Sequence, residues 1–268
     1  MTLIEMIVAI VIMGILVALV GMFGRRQIDA YLDVASRAAL ADAADTALRR
    51  ISRDLQGALP NSVRATTFGG NSYLEFVPIA DAGRYRAGQT PTGTGNPLDF
   101  DNPADSSFDV LGPTVTVPAG GELVIYNLGQ PGSDVYDGSS RRALTTTGGG
   151  LASLGFSGGQ FPFASPQSRF QIVGAPATYE CDVAAGVLRR RWCYAYQGGQ
   201  PVAFGGLGVH GSCAAVGAAV LVDNVAACTI TYVPGALQRN GLVSINLTLT
   251  ANNESVTLMQ QVDILNAP

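Results

Sequence analysis

A single carboxylate stands in an otherwise apolar run. Residues 1–23 read MTLIEMIVAIVIMGILVALVGMF, and Glu5 carries the only side-chain charge among them. An ionised carboxylate in hydrocarbon is costly unless a cation meets it. The cation nearest to it in sequence would be the α-amino group of Met1, because Arg25 and Arg26 come only after the run. Two kinds of chemistry follow. Glu5 pairs with the Met1 amine of a neighbouring copy, or it sits as a snorkelling carboxylate at a membrane interface.

Other reactive residue types lie far from that run. Cys181, Cys193, Cys213 and Cys228 make an even number, which suits disulfides in an oxidising compartment. His210 is the sole histidine. A Ser/His/Asp site would need it as base, and no nucleophile-elbow sequence accompanies it, so we read it as a loop residue and the chain as a non-enzyme. No cysteine pair has zinc-ligand spacing. Asp99, Asp101 and Asp105 belong to an acidic loop with Asn102 and Asp109. Oxygen side chains of this kind can wrap calcium, which makes those three the calcium candidates. Their spacing departs from the EF-hand loop, and a solvated loop is the simpler reading. No other cofactor is expected. Arg189-Arg190-Arg191 stands beside Trp192, a combination that can contact nucleic acid. Only alternate members of a strand share a face, however, and the net charge is −4. A solvated strand face and no nucleic-acid partner are expected.

These residues need elements to place them. A helix of about 20 apolar residues spans a bilayer core of roughly 30 Å, so residues 1–24 read as a transmembrane helix half. Residues 25–59 continue it amphipathically: Ile28, Leu32, Ala35, Leu40, Ala44, Leu48, Ile51, Leu55 and Leu59 recur at spacings near three or four. Gly21 and Gly24 predict a soft joint, and Pro60-Asn61 a stop. Residues 60–268 read as one β-rich head, in keeping with 33 Gly and 14 Pro. Strands are predicted at 73–77, 122–128, 169–173, 178–182, 188–196, 229–233, 242–250 and 255–265. Asn252-Asn253 predicts a hairpin between the last two. Residues 82–118 and 148–159 show little periodicity and read as surface excursions. The basic residues follow the apolar run, which by the positive-inside rule alone places the head in the cytoplasm. The cysteines argue the reverse, and removal of a basic leader ahead of Met1 reconciles the two.

Met1-Thr2-Leu3-Ile4-Glu5 before an unbroken apolar stretch resembles the mature N-terminus of type IV pilins and type II secretion pseudopilins. Met1 departs from the usual Phe, and Gly21-Met22 stands where many major pilins carry a proline. The resemblance implies an α+β, pilin-like fold: a long N-terminal helix packed on an antiparallel β-rich head. It implies an N-methylated Met1 produced by a prepilin peptidase, and Glu5 as an assembly residue. It implies a single-pass inner-membrane protein with its head in the periplasm, later drawn by an inner-membrane assembly platform into a pilus or pseudopilus. Other pilins or pseudopilins are then its partners. A narrower resemblance, to MshO-type minor pilins of the mannose-sensitive haemagglutinin pilus system, rests on patches. These are Leu48-Arg49-Arg50-Ile51-Ser52-Arg53-Asp54-Leu55, residues 58–64, Tyr179-Glu180-Cys181-Asp182, Cys228-Thr229-Ile230-Thr231-Tyr232, and Gly241-Leu242-Val243 running on to Asn266-Ala267-Pro268. It implies a minor filament subunit, priming assembly or sitting near the tip and aiding adhesion. The alternatives are a minor pseudopilin of a type II secretion system and a membrane-tethered periplasmic binding module.

The cysteine pairing follows from the predicted hairpin. With a turn near 184–186, Cys181 lies opposite about position 189 and Cys193 opposite about 177. That offset is roughly 13 Å along the strands, against a Cα limit of about 7 Å for a disulfide. A Cys181–Cys193 bridge is disfavoured, which leaves two connectivities. The nested one, Cys181–Cys228 with Cys193–Cys213, is preferred because it clamps the glycine-rich loop at 198–211.

Overall fold

A computed structural model describes residues 3–211, 213–235 and 240–266. The first element is a single helix, α1 (Leu3–Gln56). Its 54 residues make it about 80 Å long. Its two ends differ in surroundings. Leu40, Ala44, Ala47, Leu48, Ile51 and Leu55 are buried against the head at the three-to-four spacing of one helix face. Ile28, Leu32 and Ala35, expected to continue that packed stripe, are exposed. The head buries the helix face only from Leu40 onward.

The helix ends three residues before the expected stop, because backbone pairing captures its last turn. Leu59 N–H donates to Val77 O at 2.7 Å, and Ile79 N–H donates to Gly57 O at 3.0 Å. A helix cannot keep those groups in its own ladder and give them to a strand as well.

Two antiparallel sheets complete the body around α1. One runs in the order β1 (Arg64–Phe68), β2 (Asn71–Phe76), β11 (Ala177–Asp182), β12 (Val187–Trp192), β13 (Gly217–Val222). The other is β14 (Val225–Val233), β15 (Gly241–Ala251), β16 (Glu254–Ile264). β15 shows the predicted alternation, with Val243, Ile245, Leu247 and Leu249 buried. Asn252 and Asn253 both have positive φ, 52° and 62°, as the two-residue turn into β16 requires. The chain is thus an N-terminal apolar helix followed by a β-rich head of antiparallel sheets.

The stretches expected as surface excursions are structured in part: 86–106 holds no strand and is mostly exposed, while 107–118 and 148–159 carry strands. Between β2 and β11 the chain forms β3 (Ile79–Tyr85), β4 (Ser107–Leu111), β5 (Val115–Val117), β6 (Glu122–Val124), β7 (Arg141–Leu144), β8 (Gly148–Leu151), β9 (Ser153–Ser157) and β10 (Arg169–Val173). Six of these close into a barrel in the order β10-β3-β4-β9-β7-β6, and β5 pairs with β8. Tyr85, Phe108, Phe156, Phe161 and Phe170 fill its core. The strand expected at 122–128 stops at Val124, and the one expected at 188–196 stops at Trp192. Just past each stop a non-glycine residue takes positive φ, Tyr126 at 53° and Cys193 at 67°, which breaks an extended ladder.

Candidate functional site: the exposed apolar helix

Every residue of the 21-residue span Leu3–Phe23 is exposed, at a mean hydropathy of 3.0. Leu3, Ile4, Val17 and Val20 each expose 70% or more of their surface. An apolar surface this large is not left to water in a soluble protein. At 1.5 Å per residue the span is about 31 Å long, the thickness of a bilayer core. The helix is long and apolar enough to be a membrane anchor or a signal sequence. Glu5 lies in its first turn, exposed among Leu3, Ile4 and Met6. There the helix macrodipole favours a negative charge. Met1 lies outside the described residues.

Beyond Phe23 the exposed apolar surface continues through Ile28, Leu32 and Val34. It runs into a groove where Leu32, Ala35, Ala39 and Leu40 face Val222 and Leu249 at the foot of the two sheets. Arg37 reaches across to Glu254, tying helix to sheet at this level.

The cysteines pair in the nested pattern, Cys181 with Cys228 and Cys193 with Cys213. The hairpin register places Leu188 opposite Cys181, and Cys193 falls one residue beyond the Trp192–Ala177 pair. The turn is one residue tighter than expected, yet the two cysteines remain out of register. Cys181–Cys228 joins the two sheets, and Cys193–Cys213 closes the loop after β12.

The basic run is spoken for within the molecule. Arg190 Nε meets Asp54 of the helix at 3.0 Å, and Tyr179 Oη donates to the same carboxylate at 2.7 Å. Arg191 Nε pairs with Glu180 at 2.6 Å, and Arg189 Nη2 with Asp182 at 3.0 Å. Burial pushes the Tyr179 hydroxyl well above its ordinary pKa, and the neighbouring Asp54 adds to the shift, so it stays a donor. The sequence hides these partners because they lie on other elements. The acidic loop folds on itself: Asp105 accepts from Asp99 N–H at 2.8 Å, and Asp99 accepts from Asp101 N–H at 2.9 Å. Among the described residues, no three His, Cys, Asp or Glu side chains gather as a metal-holding group, so Asp99, Asp101 and Asp105 are not brought together as one.

His210 is more than a loop residue. It is nearly buried, and its Nε2 lies 3.0 Å from Glu122, which also pairs with Arg141. The group pins the loop after β12 to the barrel. A second buried polar cluster surrounds Glu75. Glu75 is fully buried, holds Arg64 Nε at 2.5 Å and accepts from Tyr194 Oη at 2.8 Å. Its only sequence signal is a carboxylate within an apolar strand pattern.

Compared with known proteins, the chain matches no family model, no curated protein and no solved structure.

Proposed function

We propose that this protein is a pilin-like structural subunit of a type IV filament, of the minor class. It is held in the inner membrane by the exposed half of α1 before assembly, with its head in the periplasm. The observation that carries the reading is the junction within one helix. An exposed apolar span with a carboxylate at its fifth residue runs without a break into a stretch that packs in a β-rich head. Met1-Thr2-Leu3-Ile4-Glu5 resembles the start of such subunits, and in a filament the Glu5 carboxylate would meet the amino terminus of a neighbour within the apolar helix bundle, where an ionised group needs a counter-charge. The two disulfides suit a head outside the cytoplasm.

The test is incorporation. Glu5→Ala and Glu5→Gln should leave membrane levels of the protein unchanged and lower its amount in sheared filaments at least about tenfold, the equivalent of losing one ion pair worth roughly 1.4 kcal/mol. Normal incorporation of both variants would sink the reading. Intact-mass measurement of the native protein should show one methyl group on Met1. A pseudopilus rather than a pilus as the filament would show as retention of the variant-sensitive protein with secretion-system subunits.

A further inference from the structure

Each sheet of the body has one edge that faces away from the other sheet, because the remaining two edge strands, β1 and β14, lie beside one another. β13 closes one order and β16 the other, and among the described residues no further strand pairs with either. Folded proteins usually blunt such edges with lysine, proline or a cover. Residues 213–222 read CAAVGAAVLV without a charge, and so do residues 255–262, SVTLMQQV. On β13 the consecutive residues Ala218, Ala219 and Val220 are all exposed. A bulge at Leu221 ends the regular stretch there, leaving Gly217–Val220 free to pair. On β16, Val256 and Leu258 pack toward the core while Thr257, Met259 and Gln261 are exposed, so one face of the strand is covered and the other is open.

The two edges run in opposite senses along α1. The foot of β13, Val222, lies in the groove beside Leu32–Leu40, while its head, Gly217, pairs with Trp192 at the far end. β16 begins beside Arg37, passes Arg49 and Arg53 at Gln260, and leads to Asn266 beside Asn61. β13 therefore runs toward the exposed end of the helix, and β16 runs away from it.

We infer that the edge of β13 takes an antiparallel strand from a second copy, and that this strand is β16. The argument rests on the filament reading, because it needs subunits whose helices point the same way. Two copies related by rotation about the membrane normal keep the sense of every strand. β13 against β13 would then be parallel. An antiparallel β13 pair would need a twofold axis normal to the sheet, which turns one helix to face away from the membrane. β13 against β16 is antiparallel with both helices aligned. Such a contact is heterologous and open-ended, the kind that builds a helical filament. It is also continuous with the exposed apolar groove at Leu32, Ala35 and Ala39, which the neighbour would cover. A short run of copies suffices, so low abundance is no obstacle.

The experiment uses the full chain in cells that assemble filaments. Ala219→Cys and Met259→Cys variants are produced together, oxidised mildly, and separated on a non-reducing gel. Ala218, Val220 and Thr257 serve as alternate positions to cover the register. Peptide mapping checks that Cys181–Cys228 and Cys193–Cys213 stay intact. The expected product is a 219–259 dimer at least about tenfold above either like-with-like dimer, and Val220→Lys should abolish it. A dominant 219–219 dimer, or cross-linking to a different filament subunit, overturns the inference. So does the absence of any cross-link in filaments that contain both variants, and that outcome leaves the filament reading standing. Absence of the unmodified chain from filaments removes both.

Discussion

The core around α1 and the core of the barrel are built from different materials. The first is mostly aliphatic, is crossed by Cys181–Cys228, and is tied to the helix through Asp54, Tyr179 and Arg190. The second is aromatic: Phe108 stands 5.3 Å from Phe170 and 6.2 Å from Phe156, ring centre to ring centre. All four cysteines lie outside residues 79–173. The barrel also leaves and rejoins the body at one place, since Phe76 and Ala177 are cross-strand partners. The difference teaches a division of labour. The body packs the helix and carries both disulfides. The barrel is an insertion between two paired strands, tied to the end of the helix through Ile79 and Gly57.

The most damaging break should fall in the barrel. Phe108 is fully buried, and Phe108→Ala removes a ring from its centre. Such truncations cost about 3–5 kcal/mol. We expect the barrel to melt earlier while the body's transition and filament incorporation stay as they were. Loss of incorporation in step with the barrel would show that the two regions are one cooperative unit.

Removing the disulfides probes the other side. Cys181–Cys228 spans 47 residues and Cys193–Cys213 spans 20. Chain-entropy arguments give about 4 and about 3 kcal/mol for loops of those lengths. Paired Cys→Ala variants, unfolded with denaturant in detergent, should destabilise the body in that order. The first should leave the barrel's aromatic signal unchanged. The second should affect it, because the Cys193–Cys213 loop carries His210 to Glu122 of β6.

The same contrast explains what could be read from the sequence. The helix was legible because its apolar period persists over many turns, and β15 because apolar and polar residues alternate from Val243 to Thr250. The α+β class followed from those two patterns. The barrel was not legible. Its strands have three to seven residues, too short to show a period, and its closure depends on pairing Val124 of β6 with Gln171 of β10, far along the chain. Tyr85, Phe108 and Phe156 look like isolated aromatics in Gly- and Thr-rich sequence until the ladder brings them together. In the candidate site, the apolar span and Glu5 were plain. The exposure of Ile28 and Leu32 was not, because an amphipathic period says which face is apolar and not what covers it.

The smallest effect expected is also the most diagnostic of how the two regions are joined. Glu75 sits at the seam, on β2, with Arg64 stacked over Tyr136 from the segment between β6 and β7 at 3.6 Å. Burial raises the Glu75 carboxyl above its ordinary range, opposed by the charge of Arg64, its hydrogen bond, and that of Tyr194. A carboxyl whose pKa is higher folded than unfolded binds more protons in the native state across the interval between the two values. Stability from this group is therefore fully present below the unfolded value and falls as pH rises through the folded one. Glu75→Gln removes that dependence. At neutral pH the variant gives up a charge-assisted bond, offset in part by relief from burying a charge, and the net change should stay below about 2 kcal/mol. On acidification from pH 7 to pH 4 the wild type should gain stability relative to the variant. Denaturant titrations of both proteins at the two pH values measure this directly. A relative loss on acidification would mean that Arg64 outweighs burial, and that the seam is held by an ion pair after all.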